Sequence, residues 1–423
     1  MEKRGSYTLG EYQGGYSTLD PNKAYGTDFT GYRTKASLMG ATTKPDTANQ
    51  IQQVNQLLNQ GMVPIEVTTL KPDVFETIPK EHFKELNRMA KLTGSKLSVH
   101  APLIEPSGLG EQGWSPYNRE LNERQLKEVV DKAYHVSDKE RVPITIHASN
   151  LPGSEWMPKK GGKEGEAERE KIFAYDKESG RTVPIERKEK FYPGEISEKG
   201  EGKPFSPEER LDYQNRVKWE DEIDQLLYRK ERVDEMLRRQ GPHVQEIGRE
   251  LEKYSKEERE KVLEETGETK KGYRTYQNMK TYLDDLQRQL KDDFEKAWKY
   301  ARSEEDKKEL RRLSERYTEK VENLNKDPAN LTAQSEAIQD LIQGLRSDID
   351  SPKQFVPIEE FAKEQSSQTF GNVALEAYKK YGKRAPQINI ENLYTGMAFG
   401  GRTEDMNELI KESKESFVKN AKK

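Results

Sequence analysis

Three five-residue segments, Lys96–His100, Pro143–His147 and Gln387–Glu391, share one pattern that limits the fold more than any other feature of the chain. Each alternates apolar with polar residues and ends on a potential metal ligand. Side chains of a strand point to opposite faces in turn, so Leu97/Val99, Ile144/Ile146 and Ile388/Ile390 form one face, and Ser98/His100, Thr145/His147 and Asn389/Glu391 the other. The first face is made to pack. The second is small and polar and closes on His, His and Glu. With the strands parallel and adjacent, two imidazoles and a carboxylate meet at their carboxyl ends, a ligand set that zinc or another divalent ion accepts.

The intervening chain supplies the helices such a sheet needs. Residues 36–41 suit a first strand, and Ile51, Val54, Leu57 and Leu58 then fall on one helical face before Gly61 as a stop. Residues 64–68 form a second strand, and Phe83, Leu86, Met89 and Ala90 mark a second helix. A loop carrying Pro102, Pro106, Gly108, Gly110 and Gly113 follows His100, and residues 122–136 read as the helix before strand four. Strand–helix units of this length in series imply a parallel sheet with right-handed crossovers. Glu66 has the same phase on strand two. It is a candidate fourth ligand, general base or partner fixing a histidine tautomer, and a structural ion pair suits it equally. His82, His135 and His243 carry no such context.

Elsewhere the alternation is absent. Residues 1–34, rich in Gly, Tyr, Ser and Thr, read as a flexible arm whose tyrosines can stack on a partner or on bases. Residues 35–157 hold strands one to four. Residues 158–354 are an insertion: a Lys/Glu/Gly-rich stretch with one hairpin (172–175 with 182–185), then a helical block in which Met279, Leu283, Leu286, Leu290 and Phe294, and Leu310, Leu313, Tyr317, Val321 and Leu324, recur at coiled-coil spacing. Pro328 and Pro352 punctuate it. Its charged positions form solvated faces or a docking surface. Residues 355–423 return to the sheet with a helix at 358–381, strand five and a last helix containing Met406, Leu409 and Ile410.

Composition narrows the function classes. Lys plus Arg number 72 against 76 Asp plus Glu, a net charge of -4, so no global basic excess marks the chain for nucleic acid. There is no Cys, which excludes disulfides and thiolate chemistry and leaves a metal only His, Asp and Glu. No apolar run approaches the roughly 20 residues that span a bilayer, and the first five residues do not open an apolar leader. The expectation is a soluble cytoplasmic protein with no membrane partner.

Ser98-Val99-His100-Ala101-Pro102 resembles the third-strand motif of the xylose isomerase-like TIM barrels, and within them of the endonuclease IV branch. Residues 144–147 are similar to the fourth-strand motif, and Ile390-Glu391-Asn392 with Gly396, Gly400 and Gly401 to the fifth-strand Glu-Asn and its glycine loop. The resemblance covers about 190 residues in two blocks. It implies a partial (β/α) barrel in which His100 and His147 bind zinc, or manganese or magnesium, and Glu391 bridges or completes the site. That family closes eight strands and draws further ligands from the last three, whereas this sequence runs one helix past strand five.

Three functions are therefore expected to compete. The first is phosphodiester cleavage at apurinic/apyrimidinic sites in DNA repair. The second is isomerisation or epimerisation of a small sugar, with Glu66 or Glu391 moving the proton. The third is noncatalytic assembly through the helical insertion or through self-association at the open sheet edge.

Overall fold

A computed structural model describes residues 40–422 apart from 111, 139, 160–162, 164–165, 192–202, 266, 325–326, 395 and 401. The expected arm at 1–34 and most of the expected first strand lie outside the described residues. The chain divides into two compact units. The first takes residues through Tyr175, then Ser179–Pro184, then Pro357–Lys423; the second takes Asp176–Glu178 and Ile185–Val356.

The first unit opens with β1 (Ala41–Thr42), α1 (Gln50–Asn59), β2 (Pro64–Thr68), α2 (Pro72–Thr77), α3 (Lys80–Thr93) and β3 (Lys96–His100). A two-stranded ribbon, β4 (Leu109–Gly110) and β5 (Gly113–Trp114), fills the Pro/Gly loop; α4 (Pro116–Tyr134) and β6 (Pro143–His147) follow. Ser115 caps α4 by accepting from the Asn118 amide, and Pro116 occupies the first turn, where its missing N–H costs nothing. β7 (Glu155–Pro158), β8 (Ala167–Asp176) and β9 (Thr182–Glu186) are antiparallel additions, β9 pairing with β8 where the hairpin was expected.

The second unit holds β10 (Lys188–Lys190), β11 (Lys203–Phe205) and five helices: α5 (Pro207–Leu251), α6 (Lys256–Glu265), α7 (Gly267–Lys299), α8 (Glu304–Leu324) and α9 (Leu331–Ser347). A capping box starts α5, Ser206 Oγ accepting from the Glu209 amide while the Glu209 carboxylate accepts from the Ser206 amide. Trp219, Ile223, Leu226, Val233 and Leu237 then line one stripe of α5 and pack with Met279, Leu283, Leu286 and Leu290 of α7 in a single core shared with Leu310, Leu313, Ile338, Leu341 and Leu345. Gly248 lets α5 and α7 approach: a Cβ there would sit 2.4 Å from the Tyr276 ring. The expected row from Met279 to Phe294 thus faces this core, as do Leu310, Leu313 and Tyr317 of the second row.

After β12 (Phe355–Pro357), α10 (Ile358–Tyr381), β13 (Gln387–Glu391) and α11 (Thr403–Ala421) complete the first unit. Its main sheet has the order β1-β2-β3-β6-β13, parallel throughout. Strands that neighbour one another in chain order, with crossovers of one hand, place every connecting helix on one face. Ile65, Val67, Val99, Ile144 and Ile146 are buried on that face. The opposite face carries Thr42, Glu66, Thr68, Ser98, His100, Thr145, His147, Asn389 and Glu391. The α/β class and the open, serial parallel sheet of five strands are as expected, and among the described residues no sheet closes into a barrel.

Candidate metal centre

The pairing register sets the height of each polar residue on the open face. Thr42, Glu66 and Ser98 lie side by side in one layer. Thr68, His100, Thr145 and Asn389 form the next, and His147 pairs with Glu391 in a third, at the carboxyl ends. His100 therefore stands opposite Thr145, one layer below His147, although both are the last residues of their strands. The side chains nevertheless meet: the two imidazoles lie 4.7 Å apart, centroid to centroid, with planes inclined at 54°.

His100 Nε2 is 3.5 Å from a Glu391 carboxylate oxygen, and ligand atoms of His100, His147 and Glu391 all fall within 4.8 Å of one another. Among the described residues no other group of three or more His, Asp or Glu side chains converges in this way. Glu66 is not part of the group. It lies a layer below His100 and lines a cleft of about 800 Å3 with Thr42, Lys96, Ser98 and Arg141, toward the amino ends of the strands. The sequence phase gives the face of Glu66, and the strand register sets it one layer below His100.

A hydrogen bond orients the His100 ring. The Ala101 carbonyl, 3.0 Å from His100 Nδ1, can only accept, so Nδ1 donates to it and Nε2 is the nitrogen turned toward Glu391. A ring N–H donated to a backbone carbonyl is also the usual second contact of a metal-bound histidine. His147 Nδ1 is buried with no hydrogen-bond partner. Burial first, and the nearby His100 second, hold His147 below its ordinary pKa against the opposing pull of Glu391, which keeps the ring neutral and able to donate a lone pair near pH 7. Glu391 is the accessible member, its side chain 54% exposed against 14% for His100.

The loops beyond the strands are joined to one another. The Ala148 amide donates to the Glu391 carbonyl, the Gly153 amide to that of Gly396 and the Ala398 amide to that of Leu151, so the segments following β6 and β13 run together. Gly153 makes this possible, because a Cβ on it would lie 2.4 Å from the Met397 carbonyl oxygen. Phe399 is buried with φ +66°, a left-handed conformation costly for an aromatic residue and held here by that packing. Between β3 and β6 the connection is Glu105, which accepts from Ser107 on one side and from Ser149 and Asn150 on the other. Sequence reasoning missed it; the signal was a carboxylate between Ile104 and Pro106, in a segment otherwise suited to burial.

A second cleft, of about 810 Å3, shares the loop after His147 and is lined by Gly110, Gly113, Asn118, Asn150 and Arg181. Comparison of the chain with family models, curated proteins and solved structures gives no match. The fold and the three-residue cluster define its class: an open, serially wound α/β sheet with a His2Glu constellation at the carboxyl ends of its strands.

Proposed function

We propose that the chain is a divalent-metal-dependent hydrolase on a partial barrel of the xylose isomerase-like kind, acting on phosphodiesters as the endonuclease IV branch does at abasic DNA. The observation that carries this reading is the convergence of His100, His147 and Glu391 within 4.8 Å at the carboxyl ends of a parallel sheet, where barrels of this architecture place their chemistry. Two imidazole nitrogens and one carboxylate favour zinc over magnesium. His100 and His147 would hold the ion, and the exposed Glu391 would complete the site or take a proton from an attacking water. A divalent cation bound there acts as a Lewis acid toward a phosphoryl oxygen. Arg181, in the cleft sharing the loop after His147, is the cation available to a neighbouring phosphate. The neutral His147 keeps the donor set intact at pH 7.

Elemental analysis of purified protein is expected to show a transition metal, near one per chain, that His100→Ala plus His147→Ala removes. A gel assay on duplex DNA with one abasic site should show cleavage that the same double variant abolishes. Unchanged metal content in that variant would sink the site. Metal binding without strand cleavage would leave the site and remove the substrate. In that case, metal-dependent turnover of a ketose is the next assay, since a mononuclear site also suits carbonyl polarisation.

A further inference from the structure

Glu105 is among the most deeply buried carboxylates of the first unit, 7% exposed, and no lysine or arginine neutralises it among its hydrogen-bond partners. Four donors surround it instead. The Ser107 amide and hydroxyl donate to one oxygen at 3.1 and 2.6 Å, and the Ser149 hydroxyl and Asn150 amide to the other, both at 2.8 Å. Each serine oxygen accepts in turn from an amide two residues on, Leu109 for Ser107 and Leu151 for Ser149. The backbone of Glu105 is held too, its carbonyl accepting from Asn122 of α4 at 2.7 Å.

The two sides of this network belong to different strands. Glu105 and Ser107 lie on the segment leaving β3 just after His100; Ser149 and Asn150 leave β6 just after His147. Between β3 and β6 the strand pairing reaches only His100 with Thr145, and past that the Ala101 amide donates to the Thr145 carbonyl. Beyond this point the hydrogen bonds that join the two exits run through the Glu105 carboxylate. Burial pushes the Glu105 pKa up against the pull of its hydrogen bonds, yet only the ionised group can accept on both oxygens from all four donors.

We infer that Glu105 is a positioning residue that fixes the separation of His100 and His147, sharing one carboxylate between the two strand exits. This inference rests on the metal-centre reading for its functional meaning, but its geometry does not. An outer-shell hydrogen bond that orients a ligand is typically worth 10- to 100-fold in metal affinity. Glu105 bonds neither imidazole and acts through the backbone of both strand exits.

The test uses full-length protein with selectively labelled histidines. In the metal-free wild type, the rings of His100 and His147 should show a cross-ring nuclear Overhauser effect, and zinc affinity is read by chelator competition. Glu105→Gln presents an amide N–H to donors and should weaken the cross-ring signal and raise the zinc dissociation constant by about 10- to 100-fold. Lys132→Met is the control for general destabilisation. It removes a buried ammonium bound to the Phe75 and Glu76 carbonyls and should lower the melting temperature while leaving both readouts unchanged. Should Glu105→Gln not fold, Ser149→Ala decides, since it deletes one of the four donors and should shift both readouts the same way by less. An unchanged ring contact in Glu105→Gln or in Ser149→Ala, or an equal change in Lys132→Met, overturns the inference. A ring contact that depends on Glu105 in protein that binds no zinc would overturn the metal reading alone.

Discussion

Asp293 shows how one misplaced charge sets a unit's response to pH. It is 4% exposed among the helices of the second unit, and its Oδ2 has no hydrogen-bond partner. Burial first, and the nearby Glu222 second, push its pKa up to about 6 against the opposing pull of Lys296, which is itself paired to Glu222 at 3.0 Å and Glu178 at 3.3 Å. Between roughly pH 4 and 6 the folded state therefore keeps a proton that the unfolded chain releases, so this group's contribution to stability falls as pH rises through that window and is constant above it. The full difference is of the order of 3 kcal/mol. Asp293→Asn removes the charge while keeping the shape. Urea unfolding followed by far-ultraviolet circular dichroism should find it about 1–3 kcal/mol more stable than wild type at pH 7, with the advantage shrinking toward pH 4. An equal stability difference at both pH values would show that the carboxylate is not the cause.

Elements that depend on their own periodicity were legible in the sequence. The strands at 64–68, 96–100, 143–147 and 387–391 and the helix at 358–381 have the expected limits, because alternation or a helical stripe is a local property. The extra helix α2 was not foreseen, since six residues around Pro72 and Phe75 offer too short a stripe. The 45-residue span of α5 was also missed; charged positions mask its apolar row. What joins elements is harder to read. The phase of a single strand says which face His100 and Glu66 occupy, but height on that face is a register, and register belongs to pairs of strands. That is why the His–His–Glu set was visible, the height of Glu66 was not, and Glu105, whose partners come from two loops, was not found. The close pass of the loops after β6 and β13 yields a prediction at this scale. Gly153→Ala forces a Cβ to within 2.4 Å of the Met397 oxygen, so the backbone must move. The expected loss is about 2–3 kcal/mol in the first unit, comparable to a strongly overpacked site; thermal melts of the variant within a degree of wild type would refute it.

At the scale of the molecule, two cores are built by different rules: a sheet whose apolar face is covered by its own crossovers, and a helical bundle centred on Leu226, Leu283, Leu286 and Ile338. A unit with its own core tolerates removal of the other better than a shared core would. Replacing residues 204–351 with a short Gly/Ser linker should leave a folded α/β protein that still binds zinc, and Leu283→Ala in the full chain should destabilise by about 2–5 kcal/mol without changing zinc content. A shortened protein that is unfolded by circular dichroism, or a Leu283→Ala variant that loses the metal, would contradict this division. The register of β13 has a further, kinetic consequence. β3 and β6 meet across about 45 residues, but Arg141 reaches the Ala385 carbonyl from 244 residues away, where β13 docks. Closing the longer loop costs about 1.5 kcal/mol more in chain entropy, and contacts that distant slow folding. During synthesis both histidines leave the ribosome, and their strands can pair, while the helical unit is still being made. Glu391 follows only after that unit, so the His–His–Glu cluster is completed by a strand made after the helical insertion.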